Sequence, residues 1–175
     1  MAADKTYTPK VYKRDGGDKL TVASGGTLEI EAGGLLDVGG PVAAGSTLTV
    51  TRALHAGRIV ALDTAAGSTC TLPAATGTGS VYTFIVTVTP TSNQHTVAAL
   101  TTDIMAGQAF GVDGDGEPGN AWGTASDSDK ILMNSGTQGG EIGDRVVCVD
   151  IKTSVWAVTA HLTQSGTEAT PFAAT

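Results

Sequence analysis

A chain of 175 residues, 41% of them hydrophobic, has room for one packed domain and an appendage. Its 24 glycines and only 15% charged residues make it a poor helix former, so it reads as all-β with many tight turns. The composition excludes a coiled coil, a zinc ribbon and a disulfide-rich miniprotein, and no apolar run reaches the roughly 18 residues that a membrane span needs.

The chain opens with a basic segment. The net charge is −7, yet Lys5, Lys10, Lys13, Arg14 and Lys19 hold half of the ten basic charges. The rest of the chain is therefore at −9, an acidic body that repels nucleic-acid phosphate. Met1–Lys10 has no apolar h-region, so no signal peptide is expected. Residues 1–15 read either as an arm that docks on an acidic protein surface or as a solvated terminus.

A repeat follows between Gly16 and Gly40. The aliphatic pairs Leu20/Val22, Leu28/Ile30 and Leu36/Val38 recur every eight residues, and each flanks one polar residue: Thr21, Glu29 or Asp37. That is strand periodicity. Gly-Gly pairs separate the copies and supply the positive φ of tight corners. Ala44–Val50 reads as a fourth, out-of-phase copy. Three residues per strand are too few for a free-standing sheet, and eight are too few for a full coil of one chain. Three chains, each giving one short strand per layer, make a triangular coil of about 24 residues with no open sheet edge. Residues 16–56 are thus expected to form a trimeric β-prism or β-spiral stalk with its connector, with the six aliphatics as the trimer interface. The alternative is a monomeric antiparallel meander with Gly-Gly turns.

Residues 57–175 read as a β-sandwich, jelly-roll-like, with an extended tail. Strands are expected over 58–62, 68–72, 81–88, 95–100, 103–110, 130–133, 145–151 and 154–162. Val81–Val88 is the strongest, being dense in β-branched and aromatic residues. Residues 111–129 form a long acidic loop, and Phe172 is expected to dock the tail. Trp156 is a core aromatic; Trp122 is either an interface anchor or a plug for its own sandwich. Cys70 and Cys148 are expected to be small buried hydrophobes in a chain made in a reducing cytosol.

The residues offer little chemistry. Asp113, Asp115 and Glu117 line one side of the acidic loop and are weak candidates for a hard-cation site. The loop fails the EF-hand pattern, because its twelfth position is Thr124. His55, His95 and His161 have no metal-ligand spacing. There is no nucleophile-elbow or phosphate-loop motif, and aromatics are only 5%. The chain is therefore not expected to be an enzyme, and no cofactor is expected.

Tyr7–Gly17 (YTPKVYKRDGG) and Leu20–Gly26 (LTVASGG) resemble tailed-bacteriophage head decoration and head-fibre proteins. Asp63–Gly79 (DTAAGSTCTLPAATGTG), the strand after it, and Gly166–Phe172 (GTEATPF) are similar to the same group. The resemblance implies a structural virion protein, made in the host bacterial cytoplasm, that sits as a homotrimer on the outer capsid and stabilises the head. Its partners would be the major capsid protein and itself, with no nucleic acid and no membrane; any host-surface or glycan ligand stays unspecified. The basic head would seat it through Lys10, Tyr12, Lys13 and Arg14. The alternatives are a tail-associated or receptor-binding trimeric fibre and a monomeric β-sandwich binding module or enzyme.

Overall fold

The computed structural model describes residues 11–13, 20–116 and 118–175, and its chain divides into two units, Met1–Asp37 and Val38–Thr175. In the first, β1 (Val11–Lys13) pairs antiparallel with β2 (Leu20–Val22), Val11 facing Val22. Beyond β2 the octad survives as a repeated corner. The Gly26 amide donates to the Ala23 carbonyl, and eight residues later the Gly34 amide donates to the Glu31 carbonyl, each at 2.8 Å. Gly25 (φ 72°) and Gly33 (φ 89°) occupy equivalent places in the two turns, where the left-handed backbone favours glycine. Leu28–Ile30 and Leu36–Val38 are not strands in the single chain. Three residues gain a ladder only from a neighbour, and none is present.

The second unit is two sheets over one core. Its elements are β3 (Val42–Ala43), β4 (Thr47–Thr49), α1 (Arg52–His55), β5 (Ile59–Leu62), β6 (Thr69–Thr71), β7 (Val81–Val86), β8 (His95–Ala98), β9 (Ile104–Asp113), β10 (Asn120–Gly123), β11 (Lys130–Met133), β12 (Arg145–Lys152), β13 (Val155–Gln164) and β14 (Phe172–Ala173). One sheet has seven strands in the order β10-β9-β13-β12-β7-β5-β3, the other five in the order β14-β11-β8-β6-β4. All eight expected strands of the sandwich are present. Ala44 and Val50, from the stretch assigned to the stalk, are buried in this core, and the adjoining β3 and β4 open its two sheets.

From β3 to β8 the chain alternates strictly between the sheets, so it winds like a solenoid. Strands of the same sheet then run parallel: β3 with β5 and β5 with β7 on one side, β4 with β6 and β6 with β8 on the other. These parallel pairs, and the parallel pair β9–β13, correct the jelly-roll expectation, because a jelly roll is built from antiparallel strands. The physical cause is connection length. Linkers that cross the core after every strand return the chain to the same sheet in the same direction, whereas a jelly roll needs hairpins and long antiparallel returns.

Hairpins take over in the second half. β12 and β13 are joined by a tight turn in which Ser154 takes φ 59°, next to a register shift between Asp150 and Lys152. The core reads directly from the strand alternation: Tyr82, Phe84 and Val86 on β7, Val146 and Cys148 on β12, Trp156, Val158 and Leu162 on β13. Trp156 meets Tyr82 edge-on, with centroids 5.5 Å apart and planes at 74°. Each fully buried large aliphatic or Phe contributes about 1.5–3 kcal/mol by leaving water. A Cβ on Gly107 of β9 would run into the backbone of Val158 on β13, so this parallel pair requires glycine there. Residues 111–129 are not a plain loop: β10 folds back on β9 with Trp122 opposite Ala109, half-buried against the core. The signal was weak because Asn120–Gly123 is only four residues long and poor in β-formers. The tail docks as expected, Phe172 being buried and paired with Ile131 of β11.

Candidate functional site

The two clusters raised by the sequence fare differently. Among the proposed docking residues, Lys10 and Arg14 lie outside the described residues. Tyr12 and Lys13 lie on β1, facing Thr21 and Leu20 of β2. The six proposed interface aliphatics are described, and all are exposed in the single chain: Leu20, Val22, Leu28, Ile30, Leu36 and Val38. Leu35, outside the octad pattern, is 85% exposed. Seven large aliphatics within nineteen residues are thus exposed together, against the usual rule that such side chains are scattered singly over a surface.

The acidic loop brings together a different trio from the one the sequence suggested. Carboxylate oxygens of Asp113, Asp115 and Glu168 all lie within 4.8 Å of one another. Glu117 lies outside the described residues. Glu168 comes from the segment after β13, far along the chain, so spacing within the loop could not reveal it. The Asp115 amide donates to Asp113 Oδ1 at 3.1 Å, and Asp115 Oδ2 accepts the Gly166 amide at 2.9 Å. Asn120 Nδ2 donates to Glu168 Oε2 at 3.3 Å. Sharing a hydrogen bond with Asp115 raises the Asp113 carboxyl and lowers that of Asp115. Exposed acidic groups of this kind commonly gather at a turn without a cation. What the contacts achieve is to tie the β9–β10 turn to the end of β13.

The remaining reactive side chains are occupied by the fold. His95 is buried; its Nδ1 accepts the Ser68 amide at 2.9 Å, and its Nε2 lies 2.8 Å from the Val88 carbonyl. Burial in this apolar surrounding pushes its pKa down. His55 is buried with Nδ1 2.8 Å from the Thr51 amide. His161 is exposed and stacks on Phe110 with centroids 5.8 Å apart. Cys70 and Cys148 are free and buried, and desolvation pushes both thiols up to about 12. Buried aspartates hold loops: Asp144 accepts the amides of Gly140, Glu141 and Thr163, and Asp103 accepts that of Ala75. Among the described residues no helix is long and apolar enough to cross a membrane. No protein-family model, curated protein or solved structure matches the chain at a significant level.

Proposed function

We propose that this is a structural protein of a tailed-bacteriophage head, a homotrimer that seats on the outer capsid surface and stabilises the shell. The observation that carries the reading is the octad. Glycine corners recur at eight-residue spacing, and the aliphatics around them stay exposed in one chain. Such a segment is stable when copies of itself cover it, and three copies leave no edge unpaired. The sandwich has its own core.

The seat is the basic head, with the major capsid protein as partner. Lys10, Tyr12, Lys13 and Arg14 give each copy a weak cationic contact, and three linked copies multiply it when all engage together. Binding only the assembled shell stabilises that shell by mass action.

Co-sedimentation of the full chain with undecorated capsids tests this. Lys13→Glu combined with Arg14→Glu is expected to abolish binding while light scattering still gives a trimer. Unchanged capsid binding by the double variant would remove the basic-head mechanism. Binding to purified tails but not to heads would replace the decoration reading with a tail-fibre one.

A further inference from the structure

We infer that the outward face of the seven-stranded sheet is an interface, buried in the assembled protein against other copies of this chain. The inference rests on the self-association in the proposed function and is independent of the capsid seat.

The sequence of this sheet is unusual for a surface that meets water. A sheet with one wet face alternates apolar and polar residues, whereas strands apolar on both faces belong to sheets covered on both sides. Here the outward positions of β7 and β12 are mostly aliphatic (Val81 and Ile85; Val147, Val149 and Ile151), and those of β13 begin with Val155 and Ala157 before turning polar at Thr159 and His161. The strand register sets Val81, Val149, Ala157 and Ala106 side by side in one row across β7, β12, β13 and β9. The next row adds Val147 between Thr83 and Thr159, and Ile59, Ile104 and Phe110 stand exposed around them. None of these positions is fully buried in the single chain.

Size and charge identify the occupant. The five strands β5, β7, β12, β13 and β9 run from four to ten residues; at about 4.8 Å between strands and about 3.3 Å per residue they make a face on the order of 600 Å². A stable interface buries about 800 Å² per partner. The body at −9 repels a second copy almost everywhere. Yet no Asp or Glu stands on these outward rows; Asp150 of β12 and Asp144 just before it are buried on the core side. Outward charges on the sheet are cationic and at its margin, namely Arg145 and Lys152. The partner must therefore present a flat, apolar, uncharged surface of the same size. Each further copy carries one, and three such faces can close around an axis.

The test uses the full chain. Because Cys70 and Cys148 are buried and free, an introduced thiol is the reactive one. Val149→Glu, which points away from the core, is expected to lower the mass seen by light scattering from oligomer to monomer with unchanged circular dichroism. Ala157→Cys is expected to react with a maleimide about a hundredfold slower than Leu54→Cys, a thiol on exposed α1. If Ala157→Cys labels within about tenfold of Leu54→Cys, the face is open and the inference is overturned, whether or not Val149→Glu folds. A Val149→Glu protein that assembles like wild type also overturns it, while leaving a trimer held by the octad intact. A wild-type monomer overturns both.

Discussion

Asp150→Asn is expected to destabilise the second unit by about 3–5 kcal/mol, enough to lower its melting temperature by on the order of 10 °C. The carboxylate sits on β12 beside the register shift and collects one loop. Its Oδ1 accepts the Thr76 amide at 2.9 Å and the Gly77 amide at 2.6 Å; its Oδ2 accepts the Thr78 amide at 3.0 Å and the Thr78 hydroxyl at 2.7 Å. An asparagine offers one oxygen to these donors and turns an N–H₂ toward the others. Bonds to a charged acceptor are worth about 1.5–3 kcal/mol each, and donors stranded in a buried site cost a further 1–3, roughly. Calorimetry of the two proteins measures the loss.

The same carboxylate sets a pH dependence. Burial pushes its pKa up, but the bonds from Thr78, Gly77 and Thr76 outweigh burial and hold it below the usual carboxylate range. The folded pKa thus lies below the unfolded value of about 3.9. Its stabilisation is complete above that value and is lost as the pH falls through the folded one. Asp144 acts with the opposite sign. Desolvation raises it in spite of the amides of Gly140, Thr163 and Glu141, so protonation on acidification relieves a cost there. Subtracting Asp150→Asn from wild type cancels Asp144. The difference in unfolding free energy is expected to be flat above about pH 5 and to shrink below about pH 4; parallel curves down to acid would refute the role given to Asp150.

What the letters revealed depended on whether the deciding contact was local. Val81–Val86 announced itself because strand alternation and β-branching agree within six residues. The corner glycines were equally plain, since φ near 72° and 89° is a demand on the residue itself. The winding of β3 to β8 was not legible, because parallel pairing joins residues such as Val60 and Phe84 across a whole circuit and leaves no spacing to count. β10 was lost because Ala121 and Gly123 give no β signal without β9 beside them. Glu168 was missed for a related reason: the end of β13 and the segment after it carry it back to Asp113 and Asp115, and no motif joins positions so far apart.

Leu28→Asp is expected to turn the trimer into a folded monomer, lowering the association constant by about a thousandfold. Leu28 and Ile30 follow one glycine corner and Leu36 and Val38 the next, all of them exposed. In the second unit one full circuit separates Val60 from its partner Phe84, 24 residues. Three octads, one from each of three chains, amount to the same length. One chain stepping eight residues per copy therefore falls short of closing on itself, and its aliphatics find cover when three chains share each layer. A carboxylate at position 28 would then bring three negative charges together in an apolar layer, without solvent to screen them and with no Lys or Arg between Leu20 and Gly40 to pair them. The second unit has its own core, so the environment of Trp156 should be unchanged in near-ultraviolet circular dichroism while light scattering reports one third of the mass. A Leu28→Asp protein that remains a trimer of wild-type stability would mean that these aliphatics lie off the axis, and the antiparallel meander would take the place of the stalk.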